Sequence, residues 1–209
     1  MRVLIACEFS GVVRDAFRRR GHQAISCDLL FSERKGPHIR GDVLELISQR
    51  TFSLMIAHPP CQYLAVSGNR WLKRNRERRQ KQIEAFEFVM SLALANIPRI
   101  AIEQPISILS TKWRKPDQTI QPWQFGHAEN KKTCLWLKNL PLLTPTKIVY
   151  WKMKRRPIRL RDRVHHAVPG PNRWKERSRT YQGIADAMAE QWGACERIKN
   201  AQRQQRMFK

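Results

Sequence analysis

Short apolar runs alternate with helix-spaced segments along this chain, and that alternation constrains its fold more than any other feature. Residues 2–6 (Arg-Val-Leu-Ile-Ala), 23–27, 52–57 and 99–102 are aliphatic, β-branched and too short for helices, so they read as strands. Between them, Val12–Arg20 carries Val13, Ala16 and Phe17 at helical spacing, with Gly21 as a stop. Leu44–Gln49 reads as a short helix, and Ile83, Phe86, Met90, Ala93 and Leu94 mark the inward face of a longer one that Pro98 ends. Residues 111–133 are loop-rich, Thr133–Lys138 is a further strand, and Thr180–Ile198 is a last helix with Ile184, Met188, Gln191, Cys195 and Ile198 along one face. The polar, basic tail to Lys209 is expected to fray. Such alternation predicts an α/β fold with a central, mostly parallel sheet flanked by helices.

The strand ends carry the chemistry. In Ala57-His58-Pro59-Pro60-Cys61-Gln62 two prolines stop the strand and set a cysteine on the turn. Open α/β sheets place ligands at that end. Cys61 there is either a nucleophile or an inert thiol. Glu103-Gln104-Pro105 ends the fourth strand in the same way. In neighbouring parallel strands, Cys61 and Glu103 would face one crevice. Glu8-Phe9-Ser10-Gly11 forms a strand-to-helix turn that could hold a nucleotide-type cofactor, or could simply turn the chain. Asp28 suits ribose hydroxyls or a helix cap, and Asp42 an adenine amine or the cap of the next helix.

Composition bounds the partners. The 209 residues suffice for one domain with a full core, and a hydrophobic content of 42% marks it as globular. Forty Lys and Arg against seventeen Asp and Glu leave a net charge of +23, which implies a polyanionic partner, most simply nucleic acid. The excess concentrates in residues 70–81 and in 147–179, where twelve basic residues interleave with Trp151 and Trp174. His165-His166 lacks Cys or acidic partners, so no metal site is expected. Five cysteines without a Cys-x-x-Cys read as reduced thiols in a cytoplasm. No run reaches membrane-span length, and the N-terminus does not read as a secretory signal.

In order along the chain, these residues resemble the C5-cytosine DNA methyltransferases, most closely the short phage and prophage versions. Glu8-Phe9-Ser10-Gly11 stands at the methyl-donor motif, Pro60-Cys61-Gln62 followed by Ser67-Gly68 at the nucleophile loop, and Glu103-Gln104-Pro105 at the Glu-Asn turn. Phe125-Gly126 with Lys131-Lys132-Thr133 stands at the arginine motif, and Ser178-x-Thr180 with Gln182-Gly183-Ile184-Ala185 at the last cofactor-side motif. Departures are Gln104 for the family's Asn, Lys132 and Thr133 for its arginines, and Ile184 for its Asn.

The resemblance implies a Rossmann-like S-adenosylmethionine-dependent methyltransferase fold, with residues 1–138 and 178–198 catalytic, 139–177 a short basic target-recognition segment and 199–209 a basic tail. It implies catalytic roles for Cys61, Glu103, Pro60, Gln104, Thr133 and Lys132. It implies S-adenosylmethionine contacts from Glu8, Phe9, Ser10 and Gly11, from Asp28 with Leu29, from Asp42 with Val43, and from Pro59 and Gly183. Arg70, Lys73, Arg74 and Arg76, then Arg155, Arg156, Arg159, Arg161, Arg173 and Lys175, would hold double- or single-stranded DNA. The expected protein is a monomer in a bacterial cytoplasm, the host's if phage-encoded. It would methylate carbon 5 of a flipped or unpaired cytosine through a covalent Cys61 adduct, with short or relaxed sequence specificity. The competing expectations are an amino-methyltransferase, whose motif would need an amide or carboxylate at His58, and a non-catalytic DNA-binding protein on the same scaffold.

Overall fold

A computed structural model of the chain describes residues 1–67 and 75–207, with side chains as far as Ala194. Seven strands form one sheet: β1 (Arg2–Ala6), β2 (Gln23–Asp28), β3 (His38–Arg40), β4 (Leu54–Ala57), β5 (Ile100–Gln104), β6 (Gln118–Ile120) and β7 (Thr133–Lys138). Their order is β3-β2-β1-β4-β5-β7-β6. The first five strands are mutually parallel, and β7 runs antiparallel to both β5 and β6. This is the expected α/β architecture, a Rossmann-like, doubly wound sheet.

The sequence of β1 shows why it sits at the centre. Val3 and Ile5 face one layer, Leu4 and Ala6 the other, and all four are fully buried. A strand covered on both sides must be apolar throughout. On the first face, α1 (Val12–Arg19) and α8 (Gln182–Met207) pack together, burying Val13 and Phe17 with Met188 and Trp192. On the second, α2 (Val43–Gln49) and α3 (Arg76–Ala93) bury Val43, Leu46, Val89 and Leu92. Each fully buried large aliphatic or aromatic side chain in these layers contributes roughly 1.5–3 kcal/mol.

Several local expectations change. β3 and β6 are strands that the sequence did not reveal. Each spans three residues, too few to show a period of two. In α3, Phe86 and Ala93 pack partly buried against the core beside fully buried Val89 and Leu92, while Ile83 and Leu94 are exposed. Ile83 stands a turn before the first of these core contacts, and Leu94 follows the last residue of the helix. The helix also ends at Ala93, before Pro98. α8 continues to Met207 rather than fraying after residue 198, because Lys, Gln and Arg are good helix formers and no Gly or Pro interrupts them there. Trp192, absent from the expected face, is fully buried and donates from Nε1 to the Pro141 carbonyl (2.9 Å). The side chains of Cys195 and Ile198 lie outside the described residues. Residues 139–177 hold only α5 (Tyr150–Lys154), α6 (Ile158–Arg161) and α7 (Arg173–Ser178), after the short α4 (Leu109–Lys112) beyond β5. Among the described residues no helix is long and apolar enough to cross a membrane.

Candidate active site

The parallel pairing of β4 with β5 sets Ala57 opposite Ile102, so both strands deliver their next residues to the same edge of the sheet. His58 remains tied to the sheet, its N–H donating to the Ala6 carbonyl (2.9 Å). Pro59 and Pro60 then turn the chain. The Cys61 carbonyl accepts from Leu64 and Ala65 (3.1 and 2.9 Å), closing one helical turn, and Leu64 is buried in the core as its anchor. The loop is tied to the segment after β5 by the Val66 N–H to the Ile106 carbonyl and the Ile108 N–H to the Leu64 carbonyl. Gln104 completes the clamp. Its side chain is buried and its Nε2 donates to the Pro59 carbonyl. The extra methylene relative to Asn therefore does not prevent the residue from holding the cysteine turn.

Glu103 is the electrostatic centre of the crevice. Its Oε2 lies 2.5 Å from His58 Nδ1 and its Oε1 4.0 Å from Lys131 Nζ. Burial alone would raise the carboxyl, but the Lys131 ammonium and the His58 hydrogen bond overcome it and pull it down to about 2. Glu103 is thus a carboxylate at rest. Cys61 is exposed by area, yet the protein packed around its thiol pushes it above its ordinary value. Lys131 and Arg177 oppose that rise and Glu103 adds to it. Desolvation and the carboxylate outweigh the two cations.

The sequence pointed to Lys132 beside this crevice. Lys132 is exposed, and Lys131 is the lysine that reaches Glu103. Thr133 is buried and its hydroxyl donates to the Lys131 carbonyl (3.1 Å), which fixes the backbone that carries that lysine. Adjacent lysines just before a strand carry no signal of which faces inward. His58 and Arg177 were missed for a similar reason, since each looks like a single loop residue until the fold brings it to Glu103 or Cys61.

The neighbouring edge, at the ends of β1, β2 and β3, holds the residues assigned to the donor. Both Glu8 carboxylate oxygens serve the turn itself: Oε1 accepts from the Val13 N–H (2.7 Å) and the Ser10 hydroxyl, and Oε2 from the Arg14 N–H. Gly11 has φ +71, and a Cβ there would stand 2.5 Å from Arg14 Nη2. Arg14, unremarked in the sequence, is fully buried. It binds the Asp15 carboxylate, the Ser26 and Ser32 hydroxyls and the carbonyls of Arg34 and Lys35, pinning the 32–35 loop over the turn. Phe9 is buried with its ring edge-on to Trp174 of α7 at 5.8 Å. Asp28 accepts from the Leu30 N–H through Oδ1, forms no ion pair among the described residues, and is raised by burial. Leu29 beside it is 72% exposed. Asp42 caps α2 by accepting from the Leu44 N–H (2.8 Å), and Val43 and Pro59 are buried. A half-buried carboxylate without a cation, next to an uncovered apolar side chain, fits a ribose and an apolar base.

No family model matches the sequence. No curated protein matches it either. Fifty-seven solved chains do match. One is an Escherichia coli prophage-encoded chain, provisionally named a DNA modification methyltransferase, with a TM-score of 0.46 and 13% identity over 71% of this chain and 51% of that one. This chain therefore spans about half the length of that structure.

Gly183 has a packing task. Its N–H donates to His127 Nε2 (2.9 Å), and a Cβ would come within 2.0 Å of the Phe125 carbonyl oxygen. Backbone cannot yield there as a flexible side chain can. Gly183→Ala is therefore expected to cost about 1–3 kcal/mol, which lowers the melting midpoint by roughly 2–4 °C per kcal/mol. Calorimetry measures this, and an unchanged midpoint would contradict the close approach.

The basic residues divide into free and engaged groups. Arg76 is exposed at the start of α3, and Arg155 and Arg159 are exposed around α5 and α6. Arg156 donates to the Ala128 carbonyl, Arg161 lies 3.7 Å from Asp162, and Arg173 donates to the His165 carbonyl, so these three also build the segment. Lys175 lies 5.7 Å from the Trp174 ring. Arg70, Lys73 and Arg74, with Gly68, lie outside the described residues.

Proposed function

We propose that this chain is an S-adenosylmethionine-dependent DNA methyltransferase acting on carbon 5 of cytosine. The observation that carries the reading is the convergence of Cys61, Glu103 and Lys131 in one crevice, beside an edge whose Asp28 and Leu29 suit a nucleoside. The net charge of +23 supports a nucleic-acid substrate.

Carbon 5 of cytosine is a weak nucleophile. Addition of the Cys61 sulfur to carbon 6 makes it enamine-like. The thiol must first lose its proton, and Lys131 and Arg177 are the cations placed to favour the thiolate. Charge then moves toward the ring's N3. N3 becomes basic and takes up the proton that the thiol gave up, relayed through Glu103, whose carboxylate also accepts a hydrogen bond from the exocyclic amine. Lys131 keeps the carboxylate from being an unpaired buried charge. When bound, the donor supplies the methyl group as an electrophile. Asp28, Leu29, Phe9 and Asp42 would hold its nucleoside. The target base must leave the stack to reach Cys61, and exposed cations such as Arg76, Arg155 and Arg159 would hold the backbone around it. The test is a denaturant-stable complex with 5-fluorocytosine DNA that forms in the presence of the donor and is lost in Cys61→Ala. Donor and DNA binding without such a complex would sink the cytosine-5 assignment.

A further inference from the structure

His58 is buried at the end of β4, with 9% of its side chain exposed. Its Nδ1 meets Glu103 Oε2 at 2.5 Å. A carboxylate can only accept, so Nδ1 carries a proton, and in the neutral imidazole Nε2 then presents a lone pair. That Nε2 is buried and has no hydrogen-bond partner among the described residues. Buried polar atoms are normally satisfied, and an orphan calls for an explanation. A base oriented by a carboxylate, with its other nitrogen unpaired, is the arrangement of a general base.

The surroundings of His58 narrow its task. Its N–H donates to the Ala6 carbonyl at the end of β1 (2.9 Å), and its Nδ1 meets Glu103 at the end of β5. The thiol of Cys61 responds to Lys131, Arg177 and Glu103. His58 therefore stands between the nucleoside edge and the crevice, and its side chain pairs with Glu103. The reaction proposed above leaves one proton without a destination. Once carbon 5 carries the new methyl group, its original hydrogen must depart before the enzyme can release the base.

Resting on the cytosine-5 reading, we propose that His58 Nε2 is the general base that removes the carbon-5 proton and so frees Cys61. In that step the C5–H bond breaks and its proton passes to Nε2. The electron pair forms the C5–C6 double bond, the C6–S bond breaks, and Cys61 leaves as a thiolate. No oxidant or further reactant is needed. Glu103 positions the imidazole and stabilises its charge while it holds the proton.

His58→Gln tests this in the full chain. With 5-fluorocytosine DNA and donor, the variant is expected to form the Cys61-dependent complex as the unaltered protein does, because addition is intact. With ordinary cytosine DNA the variant should accumulate the same denaturant-stable complex, which the unaltered protein should not. Without any donor, tritium release from carbon-5-labelled cytosine DNA should fall roughly 100-fold. Wild-type tritium release and turnover in His58→Gln would overturn the proposal and leave the cytosine-5 reading standing. A variant that melts normally but forms no complex with 5-fluorocytosine DNA would also overturn it, since His58 would then act before addition. No complex in the unaltered protein would overturn both. If glutamine lowers the melting midpoint, His58→Ala with added imidazole gives the same readout: restored tritium release supports the base, and none counts against it.

Discussion

Cys61→Ala is expected to abolish methyl transfer to DNA, with a loss on the order of 10⁴-fold or more, the scale of removing a covalent nucleophile. The substitution deletes one sulfur and little else. The turn is held by backbone bonds to the Cys61 carbonyl, by buried Leu64 and by the Gln104 clamp on Pro59, none of which needs the thiol. The melting midpoint should therefore stay unchanged. DNA affinity should also persist, because the basic surface supplies it, and it should weaken as salt rises. Transfer of a labelled methyl group and a DNA titration, run on one preparation, measure both. Labelled product at the rate of the unaltered protein would exclude Cys61 as the nucleophile.

Much of this fold was legible because buried parallel strands leave a coarse trace. β1, β4 and β5 are apolar on both faces and β2 mostly so, and each ends in residues that cannot continue a strand into the core: Cys7-Glu8, Asp28, His58-Pro59 and Glu103-Gln104-Pro105. Those endings are the site, so the same pattern that located the sheet located Cys61 and Glu103. What stayed hidden depends on neighbours far away in sequence. Arg14 sits on the inward side of α1, where an arginine looks misplaced. The 32–35 loop, with two carbonyls and the Ser32 hydroxyl, joins Asp15 and Ser26 in satisfying the buried guanidinium. Lys131 and Lys132 are indistinguishable until β7 fixes which one faces Glu103. His58 resembled a spacer before two prolines, and its meaning came from a carboxylate 45 residues later. Gly183 matched a cofactor motif, but the carbonyl of Phe125 is what excludes a side chain there. Short-range pattern reports layers and turns; it does not report which side chains meet across them.

Glu103→Gln carries the second large effect, at least roughly 100-fold in methyl transfer, the usual scale of lost acid–base help. Glutamine keeps the length and can still accept from His58 Nδ1. It cannot relay a proton to N3, and it leaves the Lys131 ammonium without its carboxylate partner in the crevice. Formation of the 5-fluorocytosine complex should slow in parallel, which separates this residue from His58, whose loss should leave that step intact. Stability offers an independent check. The Glu103 carboxyl is lower in the folded chain, at about 2, than the roughly 4.3 of an unfolded glutamate. It therefore contributes stability that is fully present above the unfolded value and fades as pH falls toward about 2. Urea unfolding across that window should show a steeper acid-side loss in the unaltered protein than in Glu103→Gln. Parallel curves would mean that Glu103 is not held as a carboxylate by Lys131 and His58. The hydrogen bond that orients the His58 imidazole would then lose its physical basis as well.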